Sequence, residues 1–238
     1  MYEMFKDAKS FNQDVSKWDV SQVSTMGWMF HDASSFNMDV STWDVSRVTD
    51  MTSMFEHASS FNMDVSKWDV SRVTDMNSMF NHASSFNMDV SKWDVSRVTD
   101  MNSMFCNAGS FNQDLLKWDV SQVTDMTEMF HTASYFNMDL SKWDVSQVTE
   151  MDDMFREAIS FNQTLCGEAW VNSQATKTDM FSDGSPGSIS TTVCGAQSID
   201  IIFVFTFRFH VFGVFYGCFC TTYVLTPLPS PPQPLTPC

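Results

Sequence analysis

Carboxylates that recur at a fixed interval are the first residues in this chain able to do chemistry. Asp14, Asp39, Asp64, Asp89, Asp114 and Asp139 form one series and Asp19 through Asp144 another, each spaced by 25 residues. Like residues in adjacent strands lie about 5 Å apart. That separation suits a calcium ion, with Asp64, Asp89 and Asp114 as the candidates, or a pair of glycosidase carboxylates. A periodic column, however, offers no unique acid and no unique base. Asp and Asn side chains also bond the backbone of their own turns. The expectation is therefore a structural role, with no metal, no cofactor and no catalytic residue. The Asn12 to Asn162 series reads the same way, as a ladder that satisfies buried backbone groups.

Other chemistry-bearing residues are weighed similarly. Of 19 methionines, 14 fall in M-x-x-M pairs, from Met1/Met4 to Met151/Met154. Such pairs can hold copper(I) through thioethers, but at helical spacing they are expected to fill the core. Tryptophans at fixed spacing, Trp18 to Trp143, could form a sugar-binding stripe; as a column they are expected to stack in or beside the core. His31, His57, His82, His131 and His210 follow no ligand spacing, and Cys218-x-Cys220 is too close for a usual zinc pair. The sequence holds no Gly-rich phosphate loop and no evident nucleophile.

These residues must be positioned by a repeat. The unit reads F-N-x-D-V/L-x-x-W-D-V-S-x-V-x-x-M-x-x-M-F-x-x-A-x-S/Y, and Phe11, Phe36, Phe61, Phe86, Phe111, Phe136 and Phe161 mark its start. Units 61–85 and 86–110 differ only at Asn81/Cys106, His82/Asn107 and Ser84/Gly109. A unit of 25 residues cannot bury its own apolar face. It must stack on neighbours as a solenoid. Met51, Met54, Phe55 and Ala58 lie at i, i+3, i+4 and i+7, one face of a helix, with Thr49 as N-cap and Asp50 in the first turn. Phe61–Val65 is extended by elimination. The expected fold class is thus an α/β solenoid, leucine-rich-repeat-like, each 25-residue coil carrying a short strand and a short helix.

The run F-N-Q-D-V-S-K-W-D-V-S-Q-V (11–23), followed by M-x-x-M-F-x-x-A (26–33), closely resembles the BspA-like leucine-rich-repeat surface proteins and a bacterial surface lipoprotein repeat of about the same length. The likeness covers residues 1–165. It implies a secreted or cell-surface protein whose solenoid binds or adheres to a protein or glycan ligand. It implies no catalytic residue. An alternative from another class is a carbohydrate-active enzyme, or a calcium-dependent carbohydrate-binding protein, using the Asp and Trp columns.

The ends depart from the repeat. Met1–Ala8 matches the second half of a unit, and no signal peptide precedes it; the expectation is a start in mid-coil, with further sequence before it. Residues 166–194 read as a C-terminal cap in which Cys166 and Cys194 are placed as a disulfide. Residues 195–225 are apolar and Phe-rich; Ile201–Leu225 carries only Arg208 as a charge and is long enough to cross a bilayer. It is the candidate membrane anchor, with a buried hairpin against the cap, or a mistranslated extension of the natural chain, as the competing readings. Residues 226–238 are a Pro-rich tail. The formal charge is −16, from 13 Lys and Arg against 29 Asp and Glu. A balance that acidic argues against nucleic acid, which is held chiefly by Lys and Arg on phosphates.

Overall fold

Each 25-residue unit lies against the next through backbone hydrogen bonds, most of them from the M-x-x-M-F-x-x-A segment. The computed structural model describes residues 1–195. In unit 36–60 the N–H groups of Met51, Ser53, Phe55 and His57 donate to the carbonyls of Asp75, Asn77, Met79 and Asn81 in the following unit, at 2.8–3.1 Å. Between them, the N–H groups of Met54 and Ala58 close tight turns onto the Met51 and Phe55 carbonyls at 3.1 and 3.0 Å. The pattern runs from Glu3, donating to Gly27, through Glu157, donating to Ser182. Parallel bridges, Thr25 to Asp50 and onward to Thr176, mark the same edge of every unit.

This geometry replaces the helix expected on Met51–Ala58. A helix needs each N–H to meet the carbonyl four residues earlier. Here alternate N–H groups leave their own unit instead. Ser53 and His57 take left-handed backbone angles, φ 53° and 58°. Two successive four-residue turns with a left-handed third residue carry Met51, Met54, Phe55 and Ala58 inward at the same spacing as a helix would. Thr49 caps nothing; its hydroxyl donates to the Ser24 carbonyl at 3.2 Å. Asp50 instead accepts the Thr52 N–H at 2.9 Å, an Asx turn.

The extended edge at Phe61–Val65 forms no strand either. Rings along this edge stack 5.9–6.0 Å apart, wider than the about 4.7–4.9 Å of paired strands. Asparagine bridges the gap with its side chain: the N–H of Asn62 donates to Asn37 Oδ1, and that of Asn87 to Asn62 Oδ1, both at 2.9 Å.

The interior is a set of like-on-like columns. Met51, Met54, Phe55, Ala58, Phe61 and Val65 are all fully buried, as are their counterparts in the inner units. Within a unit Phe55 stacks on Phe61 at 3.9 Å, and across units on Phe80 at 5.7 Å. Tryptophans 68, 93, 118 and 143 stack 6.5 Å apart and nearly parallel. Each also donates its indole N–H to a carbonyl 28 residues earlier; Trp93 meets Val65 at 3.0 Å. The Trp column is therefore core, and no sugar-binding stripe lies there.

Regular elements occur only where the repeat ends, among the described residues. Strand β1 is Thr164–Leu165, helix α1 is Glu168–Asn172, and strand β2 is Ser188–Ile189. The two strands pair in parallel, Thr164 with Ser188 and Leu165 with Ile189. A disulfide joins Cys166 to Cys194, 28 residues apart. Closing a loop of that length contributes about 3–4 kcal/mol on the chain-entropy account. No helix among the described residues is long and apolar enough to cross a membrane. The candidate anchor at 201–225 and the Pro-rich tail lie outside the described residues.

Two stability predictions follow from the columns and the turns. Trp93→Ala removes a buried indole together with its hydrogen bond, and denaturant melts should show a loss of about 3–5 kcal/mol; a loss under about 1 kcal/mol would mean that the columns do not carry the stack. Thr132 is a β-branched residue held at φ 56°. Thr132→Asn, which installs the residue of the preceding unit at that position, Asn107, should stabilise by roughly 1 kcal/mol.

Candidate functional site: the variable turn face

The framework of the unit recurs almost unchanged, and its differences gather on one turn. Four columns vary within M-x-x-M-F-x-x-A, and three of them line one turn: Trp28, Ser53, Ser78, Ser103, Glu128 and Asp153; His31, Glu56, Asn81, Cys106, His131 and Arg156; and Asp32, His57, His82, Asn107, Thr132 and Glu157. The first and third columns are the left-handed positions of each unit. Asp, Asn, Ser and His, which dominate there, are short polar residues; Asn, Asp and His are enriched in left-handed geometry. The local fold thus places polar, titratable side chains in successive rows.

Adjacent rows touch. The imidazoles of His57 and His82 stack at 4.4 Å, and His31 meets His57 edge-on at 6.0 Å. The Trp28 ring lies 4.6 Å from that of His31, and Lys6 Nζ lies 4.3 Å from the indole centroid. Burial, and then the neighbouring His57, push His82 below the usual imidazole range. At the other end Arg156 bonds Asp183 at 2.7 Å and Asp153 at 3.4 Å.

Two groups of side chains bring metal-ligating atoms within 4.8 Å of one another among the described residues: Cys106, Glu128 and His131; and Asp7, His31 and Asp32. In the first, Cys106 Sγ lies 3.9 Å from both His131 Nδ1 and Glu128 Oε2, and Glu128 Oε2 lies 4.0 Å from His131 Nδ1. Cys106 is 4% exposed. Burial, reinforced by the Glu128 charge, pushes its thiol up to about 12. A thiol held that high is protonated at neutral pH and is no nucleophile. Thiol and carboxylate also approach the same ring nitrogen. A catalytic relay needs them on opposite nitrogens, with the imidazole between.

The sequence-derived candidates go elsewhere. Asp64, Asp89 and Asp114 are exposed, and each carboxylate accepts the backbone N–H two residues on, from Ser66, Ser91 and Leu116, at 2.8–2.9 Å. The Ser66 and Ser91 hydroxyls and N–H groups hold Asp64 and Asp89 below the usual carboxylate range. None of the three joins a group of converging ligands. The M-x-x-M methionines of the inner units are fully buried core. Sequence spacing missed the Cys106 group because its members belong to two units, Glu128 and His131 lying 22 and 25 residues from Cys106 in a variable part of the repeat. The available signal was the exchange of Asn81 for Cys106 between two units otherwise nearly identical. A depression of about 650 Å³ is lined by other residues, including Asp144, Thr149, Glu168 and Asn172.

The Asx role of Asp64 is testable. Asp64→Ala should cost about 0.5–1.5 kcal/mol, and Asp64→Asn less, since an amide oxygen still accepts. A lowered carboxylate stabilises the fold above its unfolded value, about 4, and that contribution is lost as pH falls through the folded value. Asp64→Asn should therefore narrow the loss of stability in acid melts. Melts in millimolar calcium and in chelator should coincide; a large rise specific to calcium would assign the column to the ion instead.

Two overlapping stretches, residues 1–93 and 84–190, match a family described as "Mycoplasma protein of unknown function, DUF285". No curated protein and no solved structure matches the chain. The matched stretches end to end span the stacked units and most of the cap, so the chain belongs to the DUF285 family.

Proposed function

We propose that this chain is a non-catalytic binding scaffold of the BspA-like, leucine-rich-repeat-like kind. In this reading it is a solenoid whose coils are built from turns rather than from strand and helix. It is displayed at the cell surface or secreted, and it engages a protein or glycan ligand through its variable turn face. The observation that carries the proposal is where the units differ. Framework columns repeat almost without change, whereas the turn face presents imidazoles, carboxylates, amides, a thiol and an arginine in successive rows. A constant frame with a variable face is how repeat proteins make extended recognition surfaces. The Cys166–Cys194 bond supports an oxidising location. The acidic balance disfavours nucleic acid as the ligand.

Making the face uniform tests this. Glu56→Asn, Cys106→Asn, Asn107→His, Glu128→Ser, His131→Asn and Thr132→His together give units 36–60, 86–110 and 111–135 the turn-face residues of unit 61–85 while leaving the framework untouched. The prediction is a melting temperature close to that of the parent chain, with binding to glycan arrays and to cultured-cell surfaces lost. Equal binding by both chains would move recognition off this face. An oligosaccharide hydrolase activity abolished by Asp64→Asn, Asp89→Asn and Asp114→Asn, with the fold intact, would replace the scaffold reading by an enzyme.

A further inference from the structure

The geometry points to a site for one zinc-like divalent ion, formed by Cys106 Sγ, Glu128 Oε2 and His131 Nδ1. The donor set is the first argument. Thiolate, imidazole and carboxylate together are a zinc set, and three protein ligands leave a fourth position open to solvent or ligand. The second is distance. A tetrahedral ion with bonds of about 2.0–2.3 Å sets its donor atoms roughly 3.3–3.6 Å apart. The three atoms already stand 3.9–4.0 Å from one another. Each pair need close by only about half an ångström to reach that tetrahedron.

The backbone holds this arrangement in place. Glu128 and His131 share one turn, closed by the His131 N–H onto the Glu128 carbonyl at 3.0 Å. The Cys106 turn is bonded to it on both sides, Phe105 N–H to the Met129 carbonyl at 3.0 Å and Asn107 N–H to the His131 carbonyl at 2.8 Å. Polar neighbours reach two of the ligands: Asn107 Nδ2 donates to Cys106 Sγ at 3.1 Å, and the Ser103 hydroxyl to Glu128 Oε2 at 3.4 Å. Such bonds orient ligands and tune them. Entry is open, since the Glu128 side chain is 41% exposed and that of His131 24%.

Repeat arithmetic supplies an independent argument. Cys106 replaces the Asn81 of a unit that otherwise differs at only two more positions. In the next unit Glu128 stands where Ser53, Ser78 and Ser103 stand before it, and His131 stands in the column of Glu56, Asn81 and Cys106. Three side chains from variable columns, in two adjacent units, meet at one point. Packing of the coil does not require any of them, because other units stack with Asn and Ser at those positions. On binding, the Cys106 thiol proton leaves to solvent and the thiolate sulfur takes its place on the metal.

Cobalt(II) reads the site out directly. The full-length chain, with its disulfide intact, is freed of metal and titrated with Co²⁺. The expected result is a thiolate-to-cobalt charge-transfer band with tetrahedral ligand-field bands, saturating at one ion per chain and displaced by Zn²⁺. Cys106→Asn should abolish the bands, and His131→Asn should weaken binding at least about 100-fold, the upper end of what loss of a mere supporting residue costs. Both variants install residues that neighbouring units tolerate, so circular dichroism should match the parent. Cys218→Ser with Cys220→Ser should leave the bands unchanged. The proposal fails if the parent shows no thiolate band, if the bands survive Cys106→Asn, or if they vanish only with Cys218 and Cys220.

Discussion

The structure depends on where the backbone donors of one short segment are sent. The N–H groups of Met51, Ser53, Phe55 and His57 are not satisfied inside their own coil; they meet carbonyls of the next. An unpaired N–H shielded from water costs about 1–3 kcal/mol, so a coil without its neighbour leaves several such costs uncovered. A helix in the same place would have satisfied itself and left only side chains to join the units. Here backbone and side chains join them together. The same contacts set the spacing at which the phenylalanine rings stack, 5.6–5.7 Å from Phe30 through Phe130. Stability is therefore a nearest-neighbour property, gained at each interface and absent from any isolated unit.

That arrangement also explains which residues are free to differ. The Asn87 side chain receives the N–H of Asn112, and the Thr74 carbonyl receives the hydroxyl of Thr99. Each such bond needs its partner residue in the adjacent coil, so a change breaks a bond above or below it. The indole N–H of Trp118 reaches Val90 under the same obligation. Residues at the left-handed positions owe nothing of this kind, because the bonds there are made by backbone. Their side chains need only tolerate a positive φ. Diversity thus collects on this turn, where the frame is held by atoms that every residue has; Glu128 stands at a left-handed position, and Cys106 and His131 in the column between.

Much of this was legible in the sequence. The period, the buried columns and the cysteine pair follow from the spacing of Phe, Trp, Met and Cys166/Cys194. The turn-for-helix exchange did not follow, for a specific reason. Apolar residues at i, i+3, i+4 and i+7 are placed on one side both by a helix and by two consecutive four-residue turns, so Met51, Met54, Phe55 and Ala58 do not distinguish them. The residues between do: Ser53, His57, His82 and Asn107 are weak helix formers, and two of the three residue types are enriched at positive φ. The Cys106 group was hidden for a different reason. Its ligands are neighbours only after stacking, and motif spacing along one chain segment does not register contacts between units.

The end of the stack shows how strictly the interface is kept. The repeat places a tryptophan at 168, but the sequence has Glu168 there and Trp170 two residues later. Helix α1 takes up the extra length, and the Trp170 indole N–H still reaches the Leu140 carbonyl, at 2.8 Å, as Trp143 reaches Leu115. One residue is then lost before the turn edge, where Glu150 bridges Thr176 and Asp153, Phe155 and Glu157 find the carbonyls of Thr178, Met180 and Ser182. Gly167 is required at this splice, because a Cβ there would run into the Ser141 carbonyl. The disulfide beside it, from the residue after β1, ties the splice to Cys194, five residues beyond the end of β2. The cap is thus a coil of altered length that preserves the turn-edge and indole bonds of the preceding coil. What it preserves, and what it lets go, separates the contacts that hold the stack from the residues it is free to display.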